Sequence, residues 1–216
     1  MKLPLRNKIL VAAGPWSSGE AYADVQRLAA AGAVVAKTVT RQARPGNPPP
    51  TEQRLAAQLG WLNRVGLRNR GARSFLDENL PRLLACGAPV MLSVYADTLD
   101  DLVPLIDALE PHGHAGYEFN ASCPNLDGEP LSAPPLHQLL RGLRQRTARP
   151  IWVKLAYQPL HELRALVKAC ADAEVDALCA CNTAPALDVS QADGTKFFGG
   201  LSGPALRPLE IGRAHV

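Results

Sequence analysis

Residues 118–125 read Glu-Phe-Asn-Ala-Ser-Cys-Pro-Asn, which gathers Asn120, Cys123 and Asn125 where a short apolar segment ends at a proline. Carboxamides donate and accept hydrogen bonds, so such a pair can read an amide-rich ring. A thiol between them can act as a base once its pKa falls toward neutrality. The same residues would also serve an Asx-type turn around a buried structural cysteine. Two lysines pose a similar question: Lys37 ends one apolar run, and Lys154 interrupts another at Val153-Lys154-Leu155. A lysine in an apolar strand is costly without a partner, so a bound anion or electron-rich cofactor is one explanation and a buried Lys–Asp pair the other.

The elements that must position these groups alternate along the chain. Apolar runs at 9–13, 33–38, 89–94, 116–120, 151–155 and 177–182 have strand length. Helix-period segments at 21–31, 74–86, 98–109, 135–146 and 160–173 separate them. Six strands joined by helices predict a parallel α/β sheet, either a barrel or an open doubly wound sheet. No Gly-x-Gly-x-x-Gly or phosphate-loop pattern follows a strand, which lowers the open nucleotide-binding alternative. Gly14, Lys37, Thr38, Ser93, Asn120, Lys154, Asn182 and Thr183 all fall toward strand C-terminal ends. In a barrel those ends face one mouth, where scattered positions converge. The long segment 41–73 carries Gly60, Gly66 and Gly71 with Asn63 and Asn69, which predicts an ordered, tightly turned loop placing Asn63 over the pocket.

Composition narrows the classes further. A chain of 216 residues, 47% apolar and 20% charged, is long enough for one sizeable core. It contains no run of about 18 apolar residues and no apolar signal core, so the expectation is a cytoplasmic protein without a membrane anchor. Five cysteines without a paired framework fit reduced thiols, and Cys179-Ala-Cys181 lacks the spacer of common zinc or redox motifs, so no metal site is expected. A net charge of +3 without aromatic–basic interleaving makes nucleic acid a weak partner.

The combination of motifs is more specific than any one of them. Val11-Ala-Ala-Gly14, Val35-Ala-Lys37-Thr38-Val-Thr40, Gly46-Asn-Pro-Pro-Pro50, Leu62-Asn63-Arg-Val-Gly66-Leu67, Asn120-Ala-Ser-Cys123-Pro-Asn125, Val153-Lys154-Leu155, Cys181-Asn182-Thr183 and Gly199-Gly-Leu-Ser-Gly203-Pro stand in one order. That order resembles the dihydroorotate dehydrogenases over nearly the whole chain, in the soluble class that uses cysteine as base. The resemblance implies an FMN-containing (β/α)8 barrel that oxidises dihydroorotate to orotate in pyrimidine biosynthesis. Cys123 would take the C5 proton while hydride leaves C6 for flavin N5, with Lys37 beside both. The substrate would be held by Lys37, Asn63, Val65, Gly66, Leu67, Asn120, Asn125, Asn182 and Thr183. FMN would be held by Ala13, Gly14, Lys37, Thr38, Ser93, Asn120, Lys154, Cys181 and Gly203. Implied partners are a second copy of the chain and an electron-transfer subunit; the acceptor, whether fumarate, quinone or NAD, is left open.

There are departures from the family pattern. Ser93 stands where asparagine is common, and Trp61 and Arg64 flank Asn63 where smaller residues are usual. A dihydropyrimidine dehydrogenase-like flavin domain and a flavin-free barrel acting on a phosphorylated sugar are the alternative readings. The resemblance also implies two further strands, and glycine-rich ends for the FMN phosphate, after Gly203. Residues 1–209 therefore read as about six of eight barrel strands in one domain. The tail at 210–216, also the literal translation of a sequencing-adapter sequence, reads as an artefact. On that expectation the chain by itself would be an inactive fragment that retains FMN poorly.

Overall fold

The computed structural model describes residues 5–14, 28–56, 59–122, 131–190 and 192–209. Cys123, Asn125, most of the helix predicted at 21–31 and the tail at 210–216 lie outside the described residues. Six parallel strands form the main sheet: β1 (Leu10–Val11), β2 (Ala33–Val35), β5 (Val90–Val94), β6 (Gly116–Ala121), β7 (Ile151–Leu155) and β8 (Ala177–Ala180). Their order is β1-β2-β5-β6-β7-β8, so each strand in the sheet lies beside the next one in the chain. A doubly wound sheet would reverse direction at a switch point; this one never does, and the sheet curls into part of a (β/α)8 barrel.

Alternation along the strands gives the sheet two different faces. Val34, Val90, Leu92, Val94, Tyr117, Phe119, Ala121, Ile151, Val153 and Leu155 belong to the main apolar core, together with helix residues such as Leu105, Leu109, Leu136, Leu140 and Leu166. Those helices are α1 (Gly71–Ser74), α2 (Leu80–Leu84), α3 (Leu99–Leu109), α4 (Ala133–Arg144) and α5 (Leu160–Asp172); a π-helical turn, Phe75–Asn79, joins the first two. The intervening residues Met91, Ser93, Glu118, Asn120, Trp152 and Lys154 therefore turn to the opposite face, which is the barrel lumen. Helix α3 starts where its sequence says it should: the Thr98 side chain accepts Asp101 N–H at 3.3 Å, and Asp100 and Asp101 occupy the first turn.

A second sheet is absent from the sequence-based expectation. β3 (Glu52–Arg54), β4 (Trp61–Asn63), β9 (Ala184–Val189) and β10 (Lys196–Ser202) form an antiparallel sheet in the order β3-β4-β10-β9. The predicted turned loop at 41–73 thus contains two strands, and the segment after Thr183 is a hairpin. Both excursions leave the barrel after strand C-terminal ends, those of β2 and β8. None of the helices is long and apolar enough to cross a membrane, and no cluster of three His, Cys, Asp or Glu could hold a metal ion, among the described residues.

At the N-terminal ends of the strands a polar cluster ties β6 to the segment before β7. Glu110 accepts from the Tyr117 hydroxyl at 2.8 Å, from Thr147 Oγ1 at 3.0 Å and from Arg149 Nε at 3.2 Å. His114 is buried against Tyr117 with ring centroids 4.6 Å apart. Neither of its ring nitrogens has a hydrogen-bond partner among the described residues, and Glu110 Oε2 stands off at 4.0 Å. Burial, then the charge of Arg149, lowers the His114 pKa from 6.5 to about 4, against the pull of Glu110. Between those values the unfolded chain binds a proton that the folded chain refuses, so stability is expected to fall as pH drops through the window. Urea midpoints at about pH 7 and about pH 5 check this, and His114→Leu is expected to shrink the difference between them.

Candidate functional site

The polar residues at the strand ends are joined by hydrogen bonds. Thr38, just past β2, lies with its Oγ1 2.9 Å from Ser93 Oγ of β5. Ser93 Oγ donates to Glu118 Oε1 of β6 at 3.1 Å, and Asn120 Nδ2 donates to Thr38 Oγ1 at 3.0 Å. Asn120 Oδ1 accepts from Ser122 Oγ at 2.8 Å and from Ser122 N–H at 3.3 Å. Asn182 Nδ2, after β8, donates to Ser122 O at 2.9 Å. One continuous network thus runs from Glu118 to Asn182 across the sheet. All of its members except Asn182 are buried, which fits the rule that interior polar groups are paired.

Strand register stacks these residues in layers. Ser93, Glu118 and Trp152 are neighbours across β5, β6 and β7; Asn120, Lys154 and Cys179 form the layer nearer the C-terminal ends. Lys154 is therefore beside Asn120 and diagonal to Glu118, and it is the charge that opposes burial of that carboxyl. Burial pushes the Glu118 pKa above the usual carboxylate range, while Lys154 and the Ser93 hydroxyl pull it down. A carboxylate does lie near Lys154: Glu118, on the adjacent strand β6. The half-buried Lys37 follows β2.

A second cluster approaches from the antiparallel sheet. Asn63 Nδ2 of β4 donates to Gly200 O of β10 at 3.2 Å, and Asn63 and Gly200 are register partners. A Cβ on Gly200 would sit 2.1 Å from Thr183 Oγ1, and one on Gly199 2.6 Å from Asn63 O. The lack of side chains at Gly199 and Gly200 lets the Asn63 backbone and the Thr183 side chain each approach β10 closely. Thr183 N–H in turn donates to Asn182 Oδ1 at 2.9 Å, which joins this cluster to the barrel network.

The remaining predicted residues follow strand ends. Val65, Gly66 and Leu67 form the turn after β4, held where Asn47 N–H donates to Val65 O at 3.1 Å and Asn69 Nδ2 to Leu67 O at 2.7 Å. Ala13 and Gly14 follow β1 and are half-buried; Cys181 is half-buried just past β8. Gly203 is exposed, with φ 101°, and packs on the Gly60 backbone, so its lack of a side chain serves that approach. Arg64, a departure from the family pattern, is turned to the sheet: its Nε donates to Pro50 O at 3.0 Å and its guanidinium lies 5.3 Å from the Phe197 ring centre. Trp61 is half exposed. Sequence reasoning passed over Glu118 and Ser122. The available signal was Glu118 itself, a carboxylate flanked by Tyr117 and Phe119 in a strand otherwise fit for burial.

These features coincide with what comparison with known proteins finds. A family model described as dihydroorotate dehydrogenase matches residues 1–214. The catalytic subunit of a dihydroorotate dehydrogenase B (NAD+) from Desulforudis audaxviator is 38% identical over 97% of this chain and 70% of its own length. The Geobacter sulfurreducens protein of the same name is 32% identical with the same coverage. A protein of Solibacter usitatus named for the fumarate-linked A type is 33% identical over 97% of this chain and 71% of its own length. A partial (β/α)8 barrel, a hydroxyl and carboxamide network at its strand ends and a family match across almost every residue have one common explanation: the chain belongs to the dihydroorotate dehydrogenase family, a family of oxidoreductases.

Proposed function

We propose that this chain carries the catalytic site of an FMN-dependent dihydroorotate dehydrogenase that forms orotate for pyrimidine biosynthesis and passes its electrons to a partner subunit. The observation that carries the proposal is the single network joining Thr38, Ser93, Asn120 and Asn182, to which Thr183 is bonded, while Asn63 is bonded to Gly200 of β10. The donor set fits the cofactor: amide N–H groups and hydroxyls match an amide-rich ring, and Lys154 and Lys37 supply cations for an edge that becomes negative on reduction. FMN, when bound, supplies the acceptor for the C6 hydride.

The chain's own residues have the complementary tasks. Cys123, as thiolate, takes the C5 proton, so the C5–H electron pair becomes the C5=C6 double bond as hydride departs from C6. Asn63, Asn120, Asn125 and Asn182, with Thr183 and the Val65-Gly66-Leu67 turn, hold the substrate's ring amides and carboxylate. Ala13, Gly14, Thr38, Ser93, Lys154, Cys181 and Gly203 hold the cofactor. Lys37 contacts both. Relatives named as catalytic subunits of an NAD+-linked enzyme support an electron-transfer subunit as the partner.

The test is anaerobic titration of the FMN-reconstituted chain with dihydroorotate, followed by visible absorbance and orotate release. Bleaching of the flavin with stoichiometric orotate is the expected result. A flavin-loaded chain that dihydroorotate leaves yellow while a dihydropyrimidine without a carboxylate bleaches it would overturn the substrate assignment in favour of the dihydropyrimidine dehydrogenase-like reading.

A further inference from the structure

The network between Glu118 and Asn120 has one consistent set of proton positions when Glu118 is ionised. A carboxylate accepts hydrogen bonds and donates none, so Ser93 uses its single hydroxyl hydrogen on Glu118 Oε1, 3.1 Å away. Ser93 Oγ then has only lone pairs to offer Thr38 Oγ1 at 2.9 Å, and the Thr38 hydroxyl must donate. Thr38 Oγ1 can now only accept from Asn120, which turns its NH2 toward it at 3.0 Å. The far side of the carboxamide agrees, because Asn120 Oδ1 faces two donors of Ser122. A flipped Asn120 would face oxygen with oxygen at one end and N–H with N–H at the other.

The direction of the first link depends on the charge state of Glu118, whose pKa is raised by burial. Burial works against the carboxylate, and Lys154, diagonal to it on the same face, works for it. Cys179 on β8 is in register with Lys154, and Lys37 follows β2. A carboxamide at 118 could donate to Ser93 instead, and the hydroxyls of Ser93 and Thr38 could then reverse.

We propose that Glu118 is a positioning residue of the site: through Ser93 and Thr38 it holds the Nδ2 end of the Asn120 carboxamide, whose Oδ1 end is fixed by the Ser122 N–H. One Asn120 Nδ2 hydrogen is bound to Thr38, and the second is left as a donor aimed at a ligand carbonyl. The inference rests on the proposed function only for the identity of that ligand, a ring amide of flavin or substrate.

The experiment follows the Asn120 side-chain NH2 by hydrogen exchange in 15N-labelled full chain without added flavin, so its outcome is independent of whether FMN or dihydroorotate binds. In Glu118→Gln and in Ser93→Ala the Asn120 NH2 is expected to exchange about tenfold faster, the loss that corresponds to one charge-assisted hydrogen bond. Because both changes break one relay, the double variant is expected to exchange no faster than either single variant. Backbone amides of Tyr117 and Leu155 report that the sheet is intact, and Ser93→Ala, which removes no charge, carries the test if Glu118→Gln does not fold. Unchanged Asn120 exchange in the folded variants, or strictly additive effects, would overturn the proposal.

Discussion

Replacing Cys123 with alanine is expected to slow reduction of bound flavin by dihydroorotate by about 10²–10⁴-fold, the range that a positioned general base contributes. The effect is placed on the chemical step because the described members of the strand-end network are bonded to one another. Asn120, Ser93 and Thr38 are satisfied by one another and by Glu118 and Ser122. FMN affinity is therefore expected to stay within about twofold of the parent, a change below about 0.5 kcal/mol. Stopped-flow bleaching under anaerobic conditions reads the rate, and fluorescence quenching of FMN reads the affinity. Cys123→Ser keeps a hydroxyl of nearly the same reach but a far weaker acid, so at neutral pH it too should be steeply slowed. An alanine variant that bleaches as fast as the parent would remove Cys123 from the role of base.

The largest effect on stability is expected from Gly60→Ala, a loss of about 2–4 kcal/mol from strain and overpacking together. Gly60 has φ 142°, a region that residues with a Cβ avoid. A Cβ there would lie 1.9 Å from Ser202 O and 3.0 Å from Ser202 C. Those are backbone atoms of β10, so no side-chain rotation relieves the overlap. The only escape moves β10 from β4, which also separates Asn63 from Gly200 and Thr183. Urea unfolding of Gly60→Ala against Gly113→Ala reads the cost, because a Cβ at Gly113 meets nothing within 4 Å. Weakened orotate binding should accompany it, and a Gly60→Ala protein with both properties intact would show that the two sheets do not depend on this approach.

The barrel strands were legible because each is a short run of β-branched and large apolar residues between helix-period segments, as in Val90-Met-Leu-Ser-Val94 and Ile151-Trp-Val-Lys-Leu155. What the runs could not show was sidedness. Ser93 and Lys154 look like isolated polar interruptions until register places them beside Glu118 and Asn120 on the lumen face. The antiparallel sheet was illegible for a different reason. β3 reads Glu52-Gln-Arg54, β9 is interrupted by Pro185, and β10 follows Phe197-Phe198 with Gly199-Gly200, so residues depleted in strands mask each pattern. Their pairing is decided by tertiary contact, and the two glycines that weaken β10 as a strand are the ones that let Asn63 and Thr183 approach. Asn63 itself was expected in a turned loop and lies instead at the end of strand β4.

The antiparallel sheet has a consequence in time. Asn63 and Gly200, which meet in it, are 137 residues apart in sequence, whereas each parallel strand of the barrel pairs with a neighbour a few tens of residues away. Closing so long a segment is entropically unfavourable until the intervening chain is already compact. The barrel strands should therefore dock first and the β4–β10 pairing last, which makes the delivery of Asn63 to its place the final event in the maturation of the site. By the same logic this sheet is the first part to open from the native state, and Asn63 can part from Gly200 by a local excursion that leaves the barrel folded.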